Sequence, residues 1–106
     1  MTRSESARLD DIAAAIARCL AYREHLDSDE LGAMAYDAVL RNLAVIGEAV
    51  KGLPEDFKAE NADVPWSSFA GLRNVVVHEH FRVDPDLVRD IVDDQLSTLL
   101  AVVTHS

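Results

Sequence analysis

The run Leu72-Arg73-Asn74-Val75-Val76-Val77-His78-Glu79-His80-Phe81 sets an arginine, an asparagine and two histidines in the most apolar stretch of the chain's second half. These residue types have few reasons to sit there except to pair with one another or to handle a phosphate. A guanidinium presents a fork of N–H donors to phosphate oxygens, and imidazole is the side chain that ordinarily exchanges protons near neutrality. Spacing limits how they can cooperate. At about 100° per residue, Arg73 and His78 point roughly 140° apart on a straight helix. Asn74 and His78 are neighbours one turn apart, and Arg73 shares a side with His80. For Arg73 and His78 to act together, the arginine must reach around, the helix must loosen near Phe81, or a second chain must contribute. The last option predicts a symmetric dimer with two copies of the motif facing one cleft.

Other polar residues interrupt apolar patterns. Asn42 falls within the stripe of an upstream helix, flanked by Arg41 and Glu48, while Arg73 and His80 fall along a Trp66–Phe69–Val77 stripe. One reading is an internal network in which Glu48 pairs with Arg73, Asn42 completes the set and the histidines cap a helix end, because an unpaired buried charge is too costly to keep. The alternatives are a chemical site, or a dimer interface with a polar centre. No metal or cofactor is expected. An H-x-H pair on a helix points two ways, and the HExxH, P-loop, G-x-G-x-x-G and G-x-S-x-G patterns are absent. The single cysteine, Cys19, has a helical core spacing and reads as a small buried hydrophobe.

The elements that would position these residues read as helices. Leu9, Ile12, Ala13, Ile16, Cys19 and Leu20 predict a first helix near 7–25. Asp27 and Glu30 have capping-box spacing for a second, near 29–51, with Leu31, Met34, Ala35, Ala38, Val45, Ile46 and Ala49 as its stripe and Gly52 and Pro54 ending it. A short acidic helix near 54–61 would be anchored by Phe57. Pro65 can start a helix over 65–81, and Asp84-Pro85 can open the last, 84–104. Short connections predict an antiparallel bundle, and 106 residues predict a single domain over 1–106. An apolar fraction of 49% is ample for its core. The net charge of −9 disfavours broad attraction to nucleic acid, but residues 62–83, around the motif, balance at two acids and two bases. One cysteine and no apolar span predict a cytoplasmic protein away from membranes.

Three blocks in order resemble the HepT-like branch of the HEPN superfamily over roughly residues 10–100. They are Ala38 to Ala49 (AVLRNLAVIGEA), Val64-Pro65-Trp66 with Ala70-Gly71-Leu72-Arg73-Asn74, and Val77 to Asp84 (VHEHFRVD). The resemblance implies an all-α HEPN bundle of four to five helices, dimerising through the motif-bearing helices. It also implies a metal-independent RNA endonuclease, the toxin of a pair whose antitoxin is a minimal nucleotidyltransferase. Arg73 would bind the scissile phosphate and stabilise its growing charge. His78 would be the general acid–base that takes the ribose 2′-hydroxyl proton, leaving a 2′,3′-cyclic phosphate. Asn74 would orient His78 or the phosphate, with Arg41, Asn42 and Glu48 behind them. The family's motif places a tyrosine two residues after the histidine, where this chain has His80. AMP attachment to that tyrosine therefore has no counterpart, and neither Tyr22 nor Tyr36 matches the position. His80 could serve as a second acid–base group. The alternative to a nuclease is a non-catalytic HEPN subunit that dimerises and binds, or presents substrate to, the nucleotidyltransferase.

Overall fold

The computed structural model describes residues 4–82 and 84–105, with the side chains of these apart from 80–82. Among the described residues every regular element is helical, and no helix is long and apolar enough to cross a membrane. The helices α1 (Glu5–Arg23), α2 (Gly32–Lys51), α3 (Glu55–Glu60), α4 (Trp66–Ala70), α5 (Leu72–Arg82), α6 (Pro85–Asp90) and α7 (Leu96–Thr104) follow in order, with a π-helical turn over Ile91–Gln95 joining the last two.

Local chemistry sets most ends. Ser4 caps α1 through its hydroxyl, which accepts from the Ala7 amide at 3.1 Å. Helix α2 starts after Leu31 without a side-chain cap; in the turn ahead of it Ser28 Oγ accepts from Leu31 N at 3.0 Å, in place of the expected Asp27–Glu30 box. Asp27 instead accepts from Arg89 of α6 at 2.6 Å. Asp84 opens α6 as expected, accepting from Leu87 N at 3.2 Å with Pro85 in the first turn.

Cross-contacts give the directions. Arg18 meets Asn42, Cys19 meets Val39, and Arg8 lies over Gly52, so α1 and α2 run antiparallel. Tyr36 meets Glu79 and Glu48 meets Arg73, so α2 and α5 do too. Arg23 of α1 grips Asp93 in the π turn with two bonds of 2.5 and 2.7 Å, and this guanidinium holds the Asp93 carboxyl below the usual carboxylate range. The core is one cluster centred on Ile12, Ile16, Leu43, Ile46, Val92, Leu96 and Leu99. Helix α2 sits at its middle, packed by α1 on one side and by α4 and α5 on the other. Its buried face is therefore broader than the expected stripe, taking in Tyr36, Val39, Leu40, Leu43 and Val50, while Leu31 and Met34 stand exposed, Met34 at 70%.

The expected helix over 65–81 is two helices broken at Gly71. Trp66 anchors the first, its indole N–H donating to the carbonyls of Lys58 and Asn61 at 3.1 and 3.0 Å and its ring lying edge-on to Phe57. The second restarts on Gly71, whose carbonyl accepts from both Asn74 N and Val75 N. The break decides which way the motif faces.

Candidate active site

Restarting at Leu72 gives α5 its own phase. Leu72 and Glu79 are buried at 3% and 2%, and Val75 and Val76 are half-buried between them. Arg73, Asn74, Val77 and His78 occupy the other side, all exposed. The Trp66–Phe69–Val77 stripe does not continue across Gly71, so Arg73 lies outside the core. Of the internal network of Glu48, Arg73 and Asn42, the Glu48–Arg73 pair forms, but in the open, and Asn42 is held elsewhere. The side chain of His80 lies outside the described residues.

Arg73 is placed by a close approach of backbone. A Cβ on Gly47 would stand 3.2 Å from Arg73 N, 3.3 Å from Phe69 O and 3.4 Å from Leu72 Cβ. Only glycine lets the α4–α5 junction rest this closely on α2 without displacement. The next residue, Glu48, then lies within reach, and Arg73 Nη1 donates to its Oε1 at 3.1 Å. Both side chains are more than half exposed, so the pair steers the guanidinium and adds little stability. Asn42 does not join it. Buried in the α1–α2 seam, Asn42 donates to the Ala38 carbonyl and accepts from Arg18 Nε. Arg41 is exposed on α2 and borders the same shallow hollow as Glu48.

The far end of α5 is held by a residue whose position between two histidines drew no role for it. The Glu79 carboxylate accepts from Tyr36 OH at 3.1 Å and from Asp84 N at 2.8 Å through one oxygen, and the Asp84 amide also donates to Tyr36 OH at 3.1 Å. This knot ties the end of α5 to α2 and to the start of α6, immediately behind His78. Burial raises the Tyr36 phenol above its ordinary value, the Asp84 amide opposing the shift and Glu79 adding to it. The sequence did carry a signal: Leu72, Val76 and Glu79 recur at helical steps once the helix is started at 72.

Helix α5 stays α-helical through Arg82, so it does not loosen near Phe81. On that straight helix the Cα atoms of Arg73 and His78 are roughly 8–9 Å apart and point to different sides. The arginine has to reach around, or a second chain has to supply one of the two groups. Among the described residues no group of three or more His, Cys, Asp and Glu could hold a metal ion. What the exposed face offers is a guanidinium, an amide and an imidazole around one exposed valine.

The family model described as Ribonuclease HepT-like matches residues 12–105. The chain belongs to the HepT-like family. Its similarity to the protein named "Probable ribonuclease HepT" of Thermococcus cleftensis is 32% identity over 93% of this chain and 92% of that one. A Methanocaldococcus jannaschii protein whose name carries a provisional RNase assignment is 32% identical over 89% of this chain and 88% of its own length. Another protein of that organism, similarly named, is 49% identical over a shorter stretch, 52% of this chain and 46% of the relative. Several curated relatives are thus matched over only about half their length or less. No solved structure matches the chain.

Proposed function

We propose that this HepT-like protein is a metal-independent RNA endonuclease acting as the toxin of a pair with a minimal nucleotidyltransferase. Membership of the family and the names of its relatives support a ribonuclease. The observation that carries the reading is the exposure of Arg73, Asn74 and His78 together on the outward side of α5. Arg73 binds the scissile phosphate and stabilises charge building on it. His78 removes the proton of the 2′-hydroxyl, which attacks the phosphorus. The bond to the 5′-oxygen breaks, that oxygen leaves as the 5′-hydroxyl of the second fragment with the proton His78 had taken, and the first fragment ends in a 2′,3′-cyclic phosphate. Asn74, one turn from His78, orients the imidazole or the phosphate. Two chains pack motif face to motif face over Val77, 56% exposed, which brings Arg73 and His78 of different chains into one cleft.

The test is incubation of the purified protein with total RNA in EDTA beside Arg73→Ala and His78→Ala. Fragments ending in 2′,3′-cyclic phosphate from the parent alone are expected. A second reading, a non-catalytic subunit that dimerises and serves the nucleotidyltransferase, is favoured by His80 in place of the tyrosine and by the charge of −9. Intact RNA from a folded dimer, with unchanged growth on expression without the partner, would decide for it.

A further inference from the structure

Two polar side chains that the α5 motif leaves aside, Arg41 and Asn42, lead into a groove between α1 and α2. Asn42 is only 6% exposed in a seam otherwise lined by apolar residues. Its Nδ2 donates to Ala38 O one turn back at 2.8 Å, and its Oδ1 accepts from Arg18 Nε at 2.7 Å. A leucine would fill the seam with no polar group to satisfy. The one cross-helix bond that needs an amide there is the hold on Arg18. With Nε engaged, the guanidinium plane is fixed at the surface and both of its Nη groups remain for a ligand. A pre-set fork loses little freedom when it binds an oxyanion.

Arg18 and Arg41 line a hollow of about 470 Å³ together with Tyr22, Asp37 and Val45. Arg41 and Val45 also line the adjoining hollow, which Arg8 and Glu48 border, and Glu48 bonds to Arg73. The arginines therefore follow one track that ends at the motif. The two hollows hold three arginines, Arg8, Arg18 and Arg41, against three carboxylates, Asp11, Asp37 and Glu48, a local balance of charge in a chain of net charge −9.

We propose that this track binds the phosphodiester backbone of single-stranded RNA and leads it to the motif face of α5. Arg18 and Arg41 each take a phosphate, and the half-buried ring of Tyr22 offers a surface for a base to stack on. The proposal rests on the ribonuclease reading and deepens it. An acidic protein repels RNA at long range, so its binding depends on a few fixed guanidinium contacts at short range. Asn42 is then a positioning residue for Arg18.

The test is fluorescence anisotropy of a short labelled oligouridine with the cleavage-disabled His78→Ala protein, alone and with Arg18→Ala, Arg41→Ala or Asn42→Leu added. Each arginine variant is expected to raise Kd about tenfold. Each should also flatten the dependence of log K on log salt by about 0.7. Asn42→Leu keeps the charge but frees Arg18, so Kd rises with an unchanged salt slope. Parental affinity and slope in both arginine variants would overturn the track, and parental KM for cleavage by Arg18→Ala and Arg41→Ala in the active protein would do so while leaving the nuclease standing. No binding and no cleavage by the parent removes the nuclease reading and the track together. If Arg41→Ala splits the dimer and RNA binding returns at high protein concentration, the face is a protein contact and the track is wrong.

Discussion

Helix α5 is tied to α2 at both ends, and the two ties differ in their surroundings. At its start Arg73 and Glu48 meet at 3.1 Å in the open, with side chains 65% and 53% exposed. At its end Glu79, 2% exposed, meets Tyr36 and the Asp84 amide out of water. A pair that water screens can part and re-form at small cost, so the guanidinium stays available to a phosphate. A buried carboxylate deprived of its donors would keep the full desolvation penalty, so that end holds its geometry. The helix thus has one fixed end, beside His78, and one end whose partner can be exchanged.

The sharpest separation of the two comes from activity. His78→Ala and Arg73→Ala should each lower RNA cleavage by about 10²–10⁴-fold with the melting temperature nearly unchanged, measured on the same preparations. Mixing the two inactive proteins sharpens this further. If the cleft takes Arg73 from one chain and His78 from the other, random exchange restores about a quarter of the parental activity. No recovery after verified exchange would put both groups on one chain.

Stability should behave in the opposite way. Glu79→Ala takes the side-chain acceptor from the buried Tyr36 OH and leaves the Asp84 amide with Tyr36 OH alone, and should cost about 2–3 kcal/mol by urea unfolding. Tyr36→Phe removes a donor while Glu79 keeps the Asp84 amide, for a loss of about 1 kcal/mol. Its pH dependence has a definite sign. The raised Tyr36 pKa favours the neutral phenol in the fold, so its contribution is complete below the ordinary value of 10.0 and falls as the pH rises beyond it. The alkaline loss should be shallower in Tyr36→Phe. Glu48→Gln comes last, with a stability change of at most about 0.5 kcal/mol. A loss as large as that of Glu79→Ala would erase the contrast between the two ends.

Much of this was legible in the residues. The apolar steps of Leu9, Ile12, Ile16 and Cys19 describe α1 because one face alone is buried. The stripe of α2 was less faithful, since a helix packed on two sides buries Tyr36, Leu40 and Leu43 as well and frees Met34. The Arg73–Glu48 pair followed from charge and spacing. Asn42 did not: its place in the stripe points to the Glu48–Arg73 set, whereas the α1–α2 packing brings Arg18 to it. A continuous helix through Gly71 would put Arg73 and Val77 on the side of Trp66 and Phe69, and the restart at Leu72 turns them outward. The same restart sets Glu79 on the buried side, a place hidden in the sequence while α5 is joined to α4.

Cys19 is wholly enclosed between α1 and α2, its thiol within 3.9 Å of the Val39 carbonyl and burial pushing its pKa up to about 12. With no thiolate and no access, a maleimide or a disulfide reagent cannot react until these two helices separate. As the chain's single cysteine, it is a built-in reporter of that separation. The labelling rate in native buffer would time how often the seam that seats Asn42 and Arg18 comes apart, without any probe being engineered into the protein.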